Sequence, residues 1–177
     1  MSKAKIATVW LDGCSGCHMS FLDLDQRLLE VFDKADLVYS PLVDVKEFPD
    51  MVDVTIVEGA VSTNEEEHKI KKIRAHTKIL VVLGDCAVTG NVPSMRNPFG
   101  TAAIFERAYH ENSDVQQQNP SSYLPVLAEH SRPVHEVVKV DVFVPGCPPP
   151  ADAIYFVVSE LLAGRIPDAG ALTRFGK

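Results

Sequence analysis

The sequence predicts an α/β domain in which a mostly parallel β-sheet carries helices on both faces. Short runs rich in β-branched and aliphatic residues alternate along the chain with longer segments of helical spacing. One run, residues 78–83 (KILVVL), is almost continuously apolar, which is typical of a strand that helices cover on both faces. A chain of 177 residues suits one domain with a hydrophobic core, so we expect residues 1–177 to form a single domain.

The first half of the chain contains four predicted strands and two predicted helices. The strands are expected at residues 5–11, 37–39, 53–57 and 78–83. After the first strand, residues 18–34 carry apolar side chains at the spacing of an amphipathic helix. Residues 64–76 predict a second helix, because Glu65, Glu66 and Glu67 occupy its first turn and basic residues follow.

The second half contains a long insertion at residues 88–134 that is predicted to be irregular. It has five prolines, a run of three glutamines and few periodic apolar residues, so we expect only a short helix near residues 101–109. Loops of this length usually serve a function or are covered by a partner. A last strand at residues 137–144, a helix at 151–163 and a polar, loose tail from Arg165 complete the chain.

This order of strands and helices predicts a flavodoxin-like doubly wound sheet with one long irregular insertion. In such sheets, ligands bind in the crevice beyond the carboxyl ends of the strands.

All four cysteines of the chain are predicted to lie at that edge of the sheet. Cys14 and Cys17 follow the first strand, Cys86 follows the strand at residues 78–83, and Cys147 follows the last strand. Each has a nearby glycine, which lets main-chain N–H groups approach inorganic sulfur. We therefore predict that the four thiolates hold one 4Fe–4S cluster.

Structural zinc is the main alternative, because four thiolates also bind a tetrahedral zinc ion. Zinc sites usually use two close cysteine pairs, whereas this chain has one C-x2-C pair and two distant cysteines. Disulfides are a weaker alternative, since the reducing cytoplasm disfavours them.

Composition excludes several classes of partner. The net charge is −7 and no Lys/Arg cluster occurs, which argues against nucleic acids and anionic membranes. No apolar run reaches the roughly 18 residues that a membrane span needs. Residues 1–10 show no apolar signal core or twin arginine, so we expect a cytoplasmic protein.

No standard nucleotide-binding motif occurs in the chain, and Thr89-Gly90-Asn91 does not complete a phosphate loop. A flavodoxin-like sheet can also hold FMN, but no motif calls for it here.

Four ordered motifs carry a family resemblance that spans Ile6 to Leu162. They are CSGC at residues 14–17, VEG at 57–59, GDCA at 84–87 and PGCPP at 145–149. These motifs resemble the small subunit of nickel–iron hydrogenases and the related cluster-bearing, PSST-type subunit of respiratory complex I.

Departures from each pattern distinguish the subfamilies. Complex I subunits of this type have adjacent cysteines in the first motif, whereas two residues separate Cys14 and Cys17. Exported hydrogenase small subunits carry a twin-arginine signal and a C-terminal domain with further cluster ligands, and this sequence shows neither. The chain therefore resembles the small subunit of cytoplasmic, bidirectional NAD(P)-reducing hydrogenases.

The resemblance implies a non-catalytic electron-transfer role in a hydrogenase complex. Cys14, Cys17, Cys86 and Cys147 would hold the cluster proximal to a nickel–iron site on a large subunit. Electrons would pass from there to diaphorase subunits that carry FMN and further iron–sulfur clusters. The alternative within the resemblance is a quinone-linked complex I-type subunit.

Four further residues near the cysteines receive predicted roles. The resemblance implies that Glu58 lies close to the cluster and serves proton passage, and the alternative is a solvated carboxylate at a strand end. Asp12 and Asp85 are expected to accept hydrogen bonds that shape the ligand loops. We expect His18 to begin a helix, not to act as a fifth ligand.

Overall fold

The computed structural model describes residues 3–175 and contains two sheets. The strands are β1 (Ala4–Trp10), β2 (Ala35–Tyr39), β3 (Val52–Glu58), β4 (Val61–Thr63), β5 (Thr77–Leu83), β6 (Leu127–Arg132) and β7 (Val142–Val144). The α-helices are α1 (Gly16–Leu22), α2 (Arg27–Lys34), α3 (Asn64–Ala75), α4 (Asp85–Thr89), α5 (Asn91–Ser94), α6 (Gly100–Phe105) and α7 (Ala151–Leu162). The predicted single domain includes residues 1, 2, 176 and 177, which lie outside the described residues.

The main sheet has five parallel strands in the order β2-β1-β3-β5-β7. The chain first moves outward from β1 to β2 and then continues on the other side of β1, through β3 and β5 to β7. This is the strand order of a flavodoxin-like doubly wound sheet, so the predicted fold class is confirmed. The reversal of direction places a crevice at the carboxyl ends of β1 and β3.

The sheet has a hydrophobic core on each face, which explains the apolar run in β5. Val81 and Leu83 pack on the face that also holds apolar residues of α1, α2 and α7. Leu80 and Val82 point to the opposite face and pack with Ile70 of α3. Because successive strand residues face opposite sides, both sets must be apolar in a strand that is covered twice.

The predicted helix at residues 18–34 is wrong as one element, because the structure has two helices there. α1 ends at Leu22 and α2 begins at Arg27, and the turn between them holds Asp25 at a φ of 50°. Leu24 lies in the turn and is only 1% exposed. The apolar spacing therefore continues across the break, which is why periodicity does not reveal it.

The insertion at residues 88–134 is more ordered than predicted. The expected short helix is present as α6, which continues as a π-helix over Glu106–Glu111. Two features were missed: the helix α5, and the antiparallel pair that β6 forms with β4. The Arg96 guanidinium ties this part together by donating to three main-chain carbonyls, those of Ser62, Ala128 and Glu129.

Two predictions near the C-terminus are also corrected. The last strand is only Val142–Val144, and Val134–Glu136 forms a 3₁₀ turn in which Val134 is fully buried. The tail after Arg165 is not loose throughout, because Ala169 is buried in the core and Thr173 is 9% exposed.

No helix within residues 3–175 combines the length and the hydropathy that crossing a membrane requires.

Candidate functional site

The structure brings the four predicted cysteines together around one cavity at the carboxyl edge of the main sheet. The residues that line it are Gly13, Cys14, Gly16, Cys17, Glu58, Gly59, Asp85, Cys86, Gly146, Cys147 and Pro148. The space measures about 70 Å³. Cys14 and Cys147 are exposed, whereas Cys17 and Cys86 are half-buried.

The loops that follow β1 and β3 are held against each other by main-chain hydrogen bonds. The Asp12 N–H donates to the Ala60 carbonyl at 3.0 Å, and the Ala60 N–H donates back at 2.7 Å. Gly59, at a φ of 88°, passes so close that an added Cβ would lie 2.7 Å from the Leu11 carbonyl carbon. This contact requires glycine, and it fixes the loop that carries Cys14.

Gly84 brings the end of β5 against Cys17. Its φ is 85°, and an added Cβ would overlap Cys17 Sγ. A side chain at position 84 would therefore occupy the position of one of the four thiols. Cys86 follows two residues later, in the first turn of α4.

Asp85 connects the loop of Cys86 to the loop of Cys147. Its main-chain N–H donates to the Gly146 carbonyl at 2.9 Å, and its carboxylate accepts the Gly146 N–H at 2.7 Å. The predicted role of Asp85 as a hydrogen-bond acceptor in the loop is thus confirmed. For Asp12, the hydrogen bonds described between the loops come from its main chain.

The Cys147 loop is anchored from two further directions. The Ser20 hydroxyl donates to the Pro149 carbonyl at 2.5 Å, and the Thr173 hydroxyl donates to the Pro145 carbonyl. The peptide bond between Cys147 and Pro148 is cis. Through the contact from Thr173 the C-terminal tail supports the loop of Cys147, a role that its polar sequence does not reveal.

Glu58 lies in the wall of the cavity and is 3% exposed. The alternative of a solvated strand-end carboxylate is therefore wrong. Its carboxylate accepts the main-chain N–H of His18 at 3.1 Å. His18 Nδ1 lies 3.2 Å from the other carboxylate oxygen, although the imidazole is not oriented for a hydrogen bond.

His18 is the third residue of α1 and does not line the cavity. Its ring is buried and packs edge-on against Trp10, with the ring centroids 5.3 Å apart. His18 therefore supports the site from the first turn of α1.

Burial and mutual crowding disfavour the thiolate form of two cysteines. Burial raises the pKa of the Cys17 thiol strongly, and the nearby carboxylate of Glu58 and the thiols of Cys86 and Cys14 add to this effect. Burial also raises the pKa of Cys86, with smaller contributions from Cys147 and Cys14. Both shifts favour the neutral thiols of Cys17 and Cys86, and a positively charged group bound between the cysteines would oppose them.

Sequence reasoning missed the turn after α4, which supplies a hydrogen-bond donor to sulfur. The Asn91 side-chain amide donates to Cys147 Sγ at 3.6 Å. The main-chain N–H of Val92 faces the Cys86 sulfur and opposes the rise in the pKa of that thiol. The only signal in the sequence is the Gly90-Asn91 pair, a common turn sequence that does not indicate a neighbouring thiol.

Comparisons with known proteins show the family to which the chain belongs. The family model described as "NADH ubiquinone oxidoreductase, 20 Kd subunit" matches residues 14–161, a span that includes all four cysteines. The delta subunit of the NAD-reducing hydrogenase HoxS of Cupriavidus necator is 41% identical over 169 residues, which cover 92% of this chain and 80% of that relative. A subunit of the F420-non-reducing vhu hydrogenase of Methanocaldococcus jannaschii is 38% identical over 165 residues.

The relatives differ in length. The match covers 92% of this chain but 57% of the Methanocaldococcus jannaschii protein, so the chain spans little more than half of that relative.

Solved structures support the fold independently. A chain from a crystal structure of an NAD⁺-reducing [NiFe]-hydrogenase in the H2-reduced state superposes with a TM-score of 0.92 at 35% identity, covering 98% of this chain and 99% of the other. A chain of the Desulfomicrobium baculatum [NiFeSe]-hydrogenase has a TM-score of 0.62 at 20% identity over 95% of this chain and 67% of that one. The second match shows the fold alone.

The family resemblance carried by the four motifs is therefore confirmed. The chain is similar to subunits of NAD-reducing hydrogenases, and it belongs to the family of the 20 kDa subunit of NADH ubiquinone oxidoreductase.

Proposed function

We propose that this chain is the electron-transfer small subunit of an NAD(P)-linked nickel–iron hydrogenase and that it holds one 4Fe–4S cluster. The observation that carries the proposal is the convergence of all four cysteines on one cavity at the carboxyl edge of the sheet. The similarity to an NAD-reducing hydrogenase subunit over 92% of the chain supports the assignment.

The residues of the cavity fit an iron–sulfur cluster. Cys14, Cys17, Cys86 and Cys147 would supply one thiolate for each iron atom, the ligand set of such clusters. N–H groups face two of these sulfurs, those of Cys147 and Cys86. Hydrogen bonds to the ligand sulfurs are typical of this class of site. When bound, the cluster supplies one-electron transfer, while this chain positions the thiolates and excludes water from the inner side.

The exposed side of the site is the proposed contact with the nickel–iron large subunit. Cys14 and Cys147 are exposed there, and the segment after Cys86 presents Val92, Met95 and Phe99 to solvent, each more than 60% exposed. Exposed apolar residues beside a cofactor mark a surface that a partner covers. This accords with the expectation that the insertion at residues 88–134 faces a partner.

The remaining parts of the proposal follow the family resemblance. Electrons would leave this chain for diaphorase subunits that carry FMN and iron–sulfur clusters, and the complex would reside in the cytoplasm. All four cysteines are assigned to the cluster, so the chain alone has no hydrogenase activity. FMN bound to this chain itself is not part of the proposal, because no motif calls for it.

Two observations bear on the complex I-type alternative, a quinone-linked subunit. The family model takes its description from NADH ubiquinone oxidoreductase. However, the C-x2-C spacing and the match to 99% of the chain from an NAD⁺-reducing hydrogenase both favour the hydrogenase assignment.

Metal and sulfide analysis of the anaerobically purified chain, with whatever copurifies, tests the proposal. We expect about four iron and four acid-labile sulfide for each copy of this chain, in addition to those of any partner subunit, an electron paramagnetic resonance (EPR) signal after reduction, and nickel only with a large partner subunit. One zinc without sulfide would replace the proposal by a structural zinc domain. Quinone reductase activity without nickel would favour the complex I-type subunit.

A ligand variant sharpens this test. Cys147→Ser is expected to lose the four-iron complement, since serine replaces one of the four thiolates. A full complement of iron and sulfide in this variant would show that Cys147 is not a ligand.

A further inference from the structure

We propose that Asn91 sets the reduction potential of the cluster by donating a hydrogen bond to the Cys147 thiolate. This inference rests on the proposed function. Asn91 would act through Cys147 as a positioning residue and would not bind iron itself.

The first observation is the contact. The Asn91 amide nitrogen lies 3.6 Å from Cys147 Sγ, within the usual range for a hydrogen bond to sulfur. Asn91 and Cys147 are 56 residues apart in sequence, so the contact is formed by the tertiary fold and not by a local turn.

The second observation is the conformation of the residue. Asn91 has a φ of 36°, in the left-handed region where most side chains are strained. Glycine adopts this region most easily, and asparagine tolerates it better than most residues. Asparagine at this position therefore keeps the turn and adds an amide, and the amide is directed at a thiol.

The third observation is that the turn is held in place. The Ser94 hydroxyl donates to the Asn91 carbonyl at 2.8 Å, and the Gly90 N–H donates to the Cys86 carbonyl at 3.0 Å. Gly90 has a φ of 87°, and an added Cβ would lie 2.9 Å from Ser94 Cβ. The backbone that carries the amide is thus held against the segment of Cys86.

The same turn lies beside a second thiol. The main-chain N–H of Val92 faces the Cys86 sulfur and lowers the pKa of that thiol, against the larger effect of burial. A side-chain variant leaves this main-chain group in place, so Asn91 is the donor that substitution can remove.

Hydrogen bonds to the ligand sulfurs are one of the factors that set the potential of an iron–sulfur cluster. Reduction adds one negative charge, and an N–H donor stabilises the more negative form more strongly. Removing the Asn91 amide should therefore lower the midpoint potential, and replacing it by a carboxylate should lower the potential further.

The test is an EPR-monitored redox titration of the complete complex with two variants. Asn91→Gly keeps the left-handed backbone and removes the donor, and we expect it to shift the one-electron reduction equilibrium by about tenfold, which is ~59 mV downward. Asn91→Asp should shift it further in the same direction. Gln26→Glu, which also replaces an amide by a carboxylate but at an exposed position outside the insertion, is the control and should leave the potential unchanged.

Iron and sulfide content of each preparation separates this inference from the proposed function. If the complex with Cys147→Ser holds as much iron and sulfide as the unchanged complex, instead of about four fewer of each, the cluster itself is refuted. Full clusters with unchanged potentials in both Asn91 variants would overturn the role of Asn91 alone. Loss of iron from both variants would also overturn it, because Asn91 would then retain the cluster instead of tuning it.

Discussion

The carboxylate of Glu58, at the end of β3, accepts the main-chain N–H of His18 in the first turn of α1 at 3.1 Å. Both residues are 3% exposed. The hydrogen bond joins the helix that carries Cys17 to the strand beside it, and it satisfies an N–H that has no partner within the first turn of a helix.

Glu58→Ala should destabilise the chain because it leaves this buried N–H without an acceptor. The expected loss is about 1–3 kcal/mol in the free energy of unfolding, measured by denaturant titration. Glu58→Gln keeps an acceptor oxygen and should lose clearly less. Equal losses in the two variants would show that the negative charge, and not the hydrogen bond, is what stabilises the fold.

Gly84→Ala should prevent cluster assembly, because the added Cβ would overlap Cys17 Sγ. Gly164→Ala is a matched control: Gly164 also has a positive φ, 76°, but nothing lies within 4 Å of its added Cβ. The control variant should lose only about 1 kcal/mol in the free energy of unfolding, because of backbone strain, and it should keep its iron. The measurement is the iron content of the two purified variants. A Gly84→Ala protein with the iron content of the unchanged protein would contradict the cavity geometry.

Thr173→Val should weaken the contact between the C-terminal tail and the loop of Cys147. The variant preserves shape but removes the hydroxyl that donates to the Pro145 carbonyl. We expect faster loss of iron to a chelator, by roughly threefold to tenfold for a hydrogen bond worth about 1 kcal/mol. Thr101→Val removes an exposed hydrogen bond to Glu129 and serves as the control. Identical rates in the two variants would mean that the tail does not support the loop.

Alkylation of the cluster-free chain should follow the exposure of the thiols. Cys14 and Cys147 are exposed and should react first with iodoacetamide at neutral pH. Cys17 should react last, since burial raises the pKa of its thiol and only the thiolate is nucleophilic. Peptide mass spectrometry over a time course establishes the order. Early labelling of Cys17 would indicate that the cluster-free chain opens at α1.

Several features could be predicted from the sequence because they depend on local patterns. The run in β5 shows a strand that is buried on both faces, and the acidic first turn of α3 marks the start of that helix. Thr63 and Glu66 form a capping box at that start, in agreement with the predicted first residue. The position of every cysteine directly after a strand also indicated the correct edge of the sheet.

Other features depend on contacts between segments that are far apart in sequence. β4 has three residues and pairs with β6 more than 60 positions later, so no local pattern signals either strand. The break between α1 and α2 is hidden because Leu24 continues the apolar spacing through the turn.

The sequence by itself determined the parallel sheet, the edge where the cysteines lie and the family to which their spacing belongs. The tertiary structure alone decided that Glu58 is buried against His18, that Asn91 reaches Cys147 and that Thr173 supports the Cys147 loop. The physical reason is that periodicity and spacing record what each residue does within its own element. A hydrogen bond between residues 40 or 56 positions apart exists only once folding has brought those elements together.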